Sequence, residues 1–446
     1  MKGMPGTSKT YSAEQLELDT RIQFFKGKNK IREWLLDESP RKKILFLDEF
    51  NIEEDGAWDF LKGDPIYFEG EWFKRTDDHI VMGAANLETF PQRTHHQFFQ
   101  NYAETIYFTE HTHDYLKQQI LGPLLAPHQL NEFAQYLLNA YHAIAKFNPH
   151  YIYTIRDLQN LAQRFICLVK NKSQTEDNKH CFINACVGEF SGNIEYPEQR
   201  QKFYDELYRL FGINIQRRLG NEPPLIELKN DISITQQKSY LVDALDQDLM
   251  ILKMIKEKRQ QQSSTNSDSH KKEYFKQLYI LQGDPGVGKS SFIRAMLDGK
   301  GIPYQSIEVC NIKAGEQINE ACEKRRFIII DELNLSEELE NQLIDLLDKK
   351  NPDIMIFATQ NEGNVIGRKP LAPSLRNRAH FLYMDNYSDG EMELLAAKHH
   401  VKPKPFLRAY HRACKDFPDS VNCRTAFTIL RKHARNYQLP HTANVT

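Results

Sequence analysis

The chain has 446 residues, with 58 basic and 60 acidic side chains and a formal net charge of −2 at pH 7, so no global field draws it to nucleic acid or an anionic membrane. Its length exceeds one ordinary hydrophobic core and suits two large modules. No run approaches the roughly 20 apolar residues of a membrane span, the N-terminus lacks a signal peptide's apolar stretch, and the seven cysteines show neither metal spacing nor a disulfide framework, which together predict a soluble, cytoplasmic protein with reduced thiols.

In chain order, the first landmark is GMPGTSKT, opening at Gly3. It is a weak echo of the phosphate-binding loop G-x-x-x-x-G-K-[S/T], with Ser8 in place of the last glycine and Lys9 and Thr10 at the lysine and hydroxyl positions. Only Met1 and Lys2 precede it, so the strand that leads into such a loop is expected to be missing. KILFLDEFN then predicts a buried strand ending at Asp48 and Glu49, IYFEGEWF a hairpin about Glu69-Gly70, and HIVMGAAN a strand ending at Asn86. In YTIRDLQNLAQRF, Arg156 leads into an apolar helical pattern. His180, Cys181 and Cys186 lie close together, but no second ligand pair completes a metal site, and buried thiols are the expectation. A linker is expected near Asn221-Glu222-Pro223-Pro224.

In the second half, the polar stretch from Lys258 to Ser269 predicts a mobile loop. After the apolar run Leu278-Tyr279-Ile280-Leu281 comes GDPGVGKS, a full match to the phosphate loop. RFIIIDELN predicts a strand ending at Asp331 and Glu332. Ser336 can then cap a helix whose apolar face is Leu339, Leu343, Leu346 and Leu347, ended by Asn351-Pro352. DIMIFATQN reaches Asn361, PSLRNRAHF holds Arg376 and Arg378, and NCRTAFTILRKHARN holds Arg424. The loops, acidic pairs, strand-end asparagines and helix-leading arginines recur at displacements of 280, 283, 275 and 268 residues. Four landmarks in one order imply tandem copies of one α/β unit.

The chemistry is that of nucleotide triphosphates, which needs phosphates clamped, Mg²⁺ held, a water placed and charge neutralised. The backbone from Gly283 through Asp284, Pro285, Gly286, Val287 and Gly288, with Lys289, Ser290 and Ser291, is the predicted phosphate-binding segment. Ser290 and Asp331 can fix Mg²⁺, Glu332 can orient or deprotonate the attacking water, and Asn361 can position it. Arg378 has two readings, neutralising transferred charge or joining a surface ion pair. Arg424 can contact phosphate from a helical lid or pair with a carboxylate. No alternation of basic and aromatic residues marks a nucleic-acid surface.

With these landmarks in order, and with FATQNEGNVIGRKPLAPSLRNR as the closest stretch, the chain resembles AAA+ ATPases, especially the midasin- and dynein-like tandem group. The resemblance implies two P-loop AAA+ modules, each a parallel sheet flanked by helices with a small helical lid. The first large subdomain would span 1–111, its lid and connection 112–222, the second large subdomain 223–386 and its lid 387–446. It implies a Walker A loop at Gly283–Ser290, a Walker B pair at Asp331 and Glu332, sensor 1 at Asn361, an arginine finger at Arg378 and sensor 2 at Arg424. The corresponding first-copy residues are Lys9, Thr10, Asp48, Glu49, Asn86 and Arg156, with Gln100 and Tyr102 at the two arginine positions. ATP and Mg²⁺ are the implied ligands, and ATP is further favoured over GTP by the lack of an N-K-x-D-like guanine reader. Other AAA+ modules or subunits, and a protein or ribonucleoprotein client, are the implied partners. In such assemblies the finger of one module usually completes its neighbour's site, so Arg378 would face the first module's nucleotide rather than its own, and turnover is expected to be slow unless another module or subunit supplies an arginine. The rival readings are a nucleotide-gated scaffold or non-cycling fragment of a larger AAA+ array, and a small-molecule or nucleoside kinase, the last leaving the repeat and the RNR segment unexplained.

Overall fold

The computed structural model describes all residues except 4–6, 88–93, 149–150, 152, 174–175, 213–224, 231, 263–275, 309–313, 325–326, 334–336, 349–353, 362–370, 372, 377, 417–425, 427 and 430–446. The fold is mixed α/β, with parallel sheets flanked by helices. Among the described residues, no helix is long and apolar enough to cross a membrane. The chain divides into two compact units, one of Met1–Ile120 with Thr154–Arg156, the other of Leu121–Tyr153 with Asp157–Thr446.

In the first unit, β1 (Lys2–Gly3), β2 (Ile22–Lys26), β3 (Lys42–Leu47), β6 (His79–Gly83) and β7 (Tyr107–Phe108) run parallel. The hairpin β4 (Ile66–Phe68) and β5 (Glu71–Phe73) turns through Glu69 and Gly70, both at positive φ, as the sequence predicts. Contrary to expectation, the strand leading into the first loop is present. Lys2 pairs with Tyr107 on one side and bridges Ala85 on the other, and the Met1 ammonium donates to the Gly83 carbonyl at 2.8 Å. Two residues suffice because both flanks are supplied by strands distant in sequence. The order is therefore β2-β3-β6-β1-β7, over a core of Trp34, Leu45, Leu47, Trp58, Leu61 and Ile66.

The second unit includes a small antiparallel pair, β8 (Leu225–Glu227) and β9 (Ser233–Thr235). Its main sheet is fully parallel, in the order β11 (Tyr304–Glu308), β12 (Phe327–Asp331), β13 (Ile356–Gln360), β10 (Leu278–Gln282), β14 (Ala379–Tyr383). This is the first unit's order repeated, and the register repeats with it. The sequence displacements of 283 and 275 residues carry the pairs Leu45–Val81, Phe46–Met82 and Leu47–Gly83 onto Ile328–Ile356, Ile329–Phe357 and Ile330–Ala358. Likewise Lys2 between Ala85 and Tyr107 matches Gln282 between Gln360 and Tyr383. A one-residue slip would turn every side chain to the other face, so shared register is a strict test of duplication.

The helix Glu337–Asp348 buries Leu339 and Leu343 in the core and packs Leu346 and Leu347 against it, as predicted. Its expected cap Ser336 and terminator Asn351-Pro352, like the linker near Asn221, lie outside the described residues. The loop expected from Lys258 is corrected in part: the helix Ser239–Gln262 continues through the first five of those residues. Lys, Arg and Gln are good helix formers, so a polar composition there extends a helix rather than ending it.

The helices Ala134–Ile144, Asn178–Phe190 and Pro197–Phe211 belong to the second unit, as does the helix Ile155–Asn171 from Asp157 onward. Gly192 sits so close to the sheet that an added Cβ would lie 2.3 Å from a Leu382 methyl. At the heart of this packing Arg164, fully buried, pairs with Glu189 and Asp248 at 2.6 Å each. It also donates to His380 Nδ1 at 3.2 Å, while His380 Nε2 lies 3.1 Å from the Glu189 carbonyl. Arginine only donates and a carbonyl only accepts, so these contacts fix the tautomer with the proton on Nε2.

A second buried pair anchors the helix Asp389–Lys398. Glu391 accepts from Lys238 at 2.7 Å and from Thr235, and completes a capping box with Ser388. Burial alone would raise the Glu391 carboxyl, but the Lys238 charge and the hydrogen bonds from Lys238, Thr235 and Ser388 outweigh it and hold it below the ordinary value. A depressed folded value means stability present above the unfolded value, about pH 4.3, and lost as pH falls through the folded one. Glu391→Gln is therefore expected to lower the thermal midpoint at pH 7 and to flatten its decline between pH 5 and 3, both read from melting curves across pH.

Candidate nucleotide site

All strands of the second sheet run parallel, so the C-terminal ends of β10, β12 and β13 open on one edge, where such sheets bind ligands. The loop leaves β10 at Gly283, where a Cβ would lie 2.4 Å from the Met384 carbonyl oxygen. Gly286 and Gly288 take φ of 85° and 100°, which glycine adopts without strain. Val287 is fully buried and pins the loop, and Gly288 caps the helix Lys289–Gly299. Pro285 and Ser290 are half-buried and Ser291 is exposed.

The Lys289 ammonium donates to the carbonyls of Gly283 and Asp284 at 2.8 Å each and to Asn361 Oδ1 at 3.0 Å. Ser290 Oγ donates to Asp331 Oδ1, which also receives Thr359 Oγ1 at 3.2 Å. Thr359 in turn accepts from the Glu332 amide at 3.2 Å. Glu332 is exposed, with φ at 61°, a left-handed backbone that takes its side chain off the strand line. Asn386 donates to the Asp284 carboxylate. Lys289, Ser290, Asp331 and Asn361 are thus brought together, with Glu332 beside them.

Arg378 lies elsewhere. It directly precedes β14, whose first residue Ala379 pairs with Leu278 while its last, Tyr383, pairs with Gln282 beside the loop. Five residues of strand, about 16 Å, separate the two ends. Arg378 does not complete the second unit's own site, and Arg376 is exposed with its guanidinium 5.3 Å from the Phe381 ring centroid. Arg424 lies outside the described residues. Two contributors escaped the sequence reading. Thr359 stands two residues before Asn361 and so shares a strand face, a legible signal. Arg294, which pairs with Asp331 at 2.6 Å, follows Lys289 by five positions and gives no motif.

The first unit repeats the constellation. Lys9 Nζ donates to the Gly3 carbonyl at 3.0 Å, Thr7 Oγ1 at 3.4 Å and Asn86 Oδ1 at 3.1 Å. Thr10 Oγ1 donates to Asp48 at 3.0 Å, and Asn86 donates to Glu49 Oε1 at 3.2 Å. Ser8 takes the left-handed backbone of Gly288, with φ at 64°, and its hydroxyl lies 3.2 Å from His111 Nε2. Gly3 meets the Phe108 carbonyl oxygen as Gly283 meets that of Met384, at 2.3 Å from an added Cβ. Arg156 falls within this unit, and Gln100 and Tyr102 are at or near the surface of the helix Gln97–Tyr102. Cys181 and Cys186 are buried free thiols, and no group suited to a metal is found among the described residues.

No protein-family model matches this chain, and no curated protein is detectably similar to it.

Proposed function

We propose that this chain is a pair of tandem AAA+-like modules that binds ATP with Mg²⁺, hydrolyses it slowly at the second module, and uses the cycle to remodel a protein or ribonucleoprotein client in the cytoplasm. The observation that carries the reading is the Lys289 ammonium, buried yet held by two loop carbonyls and Asn361 at the mouth of a loop with left-handed glycines. Such an ammonium has its charge placed where a phosphate would take over its hydrogen bonds.

The donor set fits a hard cation: one hydroxyl and one carboxylate, Ser290 and Asp331, already touch. Mg²⁺ bound there would neutralise charge on the outer phosphates. Glu332, exposed beside Asp331, is the group to orient or deprotonate water, and Asn361 holds Lys289 in line. The first module, with Lys9, Thr10, Asp48 and Asn86 in the same contacts, is proposed as a second binding site. Glu332→Gln is the diagnostic variant: nucleotide affinity is expected to persist while single-turnover hydrolysis falls about a hundredfold or more. Unchanged turnover would remove Glu332 from the reaction.

One observation favours a second reading, a nucleotide-gated scaffold that does not cycle. Arg378 sits at the far end of its own sheet from the loop, which leaves charge neutralisation to another arginine, supplied in this reading by another module or subunit. Turnover that rises with protein concentration would support the machine, and turnover absent at every concentration the scaffold.

A further inference from the structure

The two sites differ at one carboxylate. In the second unit Asp331 Oδ1 receives Ser290 and Thr359, while Asp331 Oδ2 is held by Arg294 Nη2 at 2.6 Å. The same Nη2 donates to Ser306 Oγ on β11 at 3.1 Å. Arg294 and Asp331 are 38% and 29% exposed, so the pair sits at the rim, open to exchange with solvent ions. In the first unit, the residue at the Arg294 position is Glu14, and the residue at the Ser306 position is Lys26. These two pair with each other at 2.7 Å. Asp48 there receives only the Thr10 hydroxyl and the Glu49 amide among the described residues. The cation that covers Asp331 has no counterpart on Asp48.

We propose that Arg294 is a tethered cation that shares Asp331 with Mg²⁺, neutralising the carboxylate from its Oδ2 side, so that the second site binds the metal more weakly than it would without Arg294. This rests on the nucleotide reading above and assigns a further positioning residue to it. A guanidinium 2.6 Å from Oδ2 offsets part of the negative charge that Asp331 offers a divalent cation at Ser290 and Oδ1. Ser306 Oγ, bonded to the same Nη2, holds the guanidinium in that position from the neighbouring strand. The second site is thereby made to need more metal for half-saturation than the same site without the guanidinium.

The test is binding of a fluorescent ATP analogue to the full chain carrying Lys9→Ala, titrated with Mg²⁺ from chelated to saturating. Arg294→Gln is expected to lower the Mg²⁺ midpoint by about two- to fivefold, the range of a partly exposed ion pair. Affinity in excess chelator should stay unchanged, and Arg294→Lys should hold the midpoint near that of the parent. An unchanged midpoint, or one that rises, overturns the proposal, the latter assigning Arg294 to the phosphates. Circular dichroism and a melting curve establish that each variant folds. If Lys289→Ala leaves affinity intact, the nucleotide reading itself fails, whatever Arg294 does.

Discussion

Lys289→Ala should weaken Mg²⁺-dependent affinity for adenine nucleotides at the second site by about two orders of magnitude. The estimate follows from losing charge-assisted hydrogen bonds at about 1.5–3 kcal/mol, against 1.4 kcal/mol per tenfold. Calorimetric titration with a slowly hydrolysed ATP analogue, in a Lys9→Ala background, checks it. Lys289 also holds the Gly283 and Asp284 carbonyls and Asn361 Oδ1, so a melting curve of the variant taken beside the titration separates lost binding from lost stability. Equal affinities for parent and variant would leave the loop without its proposed purpose.

The largest effect on stability is expected at Arg164. Its side chain and those of Glu189 and Asp248 are fully buried, and Asp248 also accepts from the Tyr279 hydroxyl on β10. Removing one partner of such a network leaves uncompensated buried charge, at about 3–5 kcal/mol. Arg164→Met should therefore lower the unfolding free energy of the second unit by that order, measured by denaturant titration. Burial already raises the Glu189 carboxyl above its ordinary value, opposed mainly by Arg164. Without Arg164 that group rises further and takes up a proton, so the variant should recover stability as pH falls from 7 toward 5. Restoring neutrality with Glu189→Gln and Asp248→Asn in the same molecule should return part of the loss. A penalty independent of pH would mean that packing, not charge, dominates.

Much of this architecture was readable in the chain because its signals are local. Asp48 and Asp331 end runs of buried apolar residues, and Leu339 and Leu343 repeat at helical spacing, so strands and helix could be placed and the two copies aligned. Lys289, Ser290, Asp331 and Asn361 meet because each sits at the C-terminal end of a parallel strand or just after it, a property of topology that the motif order already contains. What escaped was non-local. A two-residue strand such as Lys2–Gly3 has no periodicity to detect, and its partners lie at Ala85 and Tyr107. The Arg164 cluster joins residues as far apart as His380, and nothing in a linear pattern distinguishes a buried arginine from a solvated one. Arg294 was invisible for the same reason, since its meaning depends on Ser306 and Asp331 from two other strands.

The backbone at Glu49 and Glu332 carries a consequence for evolution of the fold. Both hold φ near 50–61°, a conformation that costs an ordinary L-residue about 1–2 kcal/mol and glycine almost nothing. Each copy thus sits below the stability its own architecture permits, and part of the shortfall falls at the acidic residue beside the strand-end aspartate, alongside other left-handed positions such as Ser8 and His400. A search for hardier variants that ignored chemistry would count those two glutamate positions among its targets, and would erase the carboxylates there.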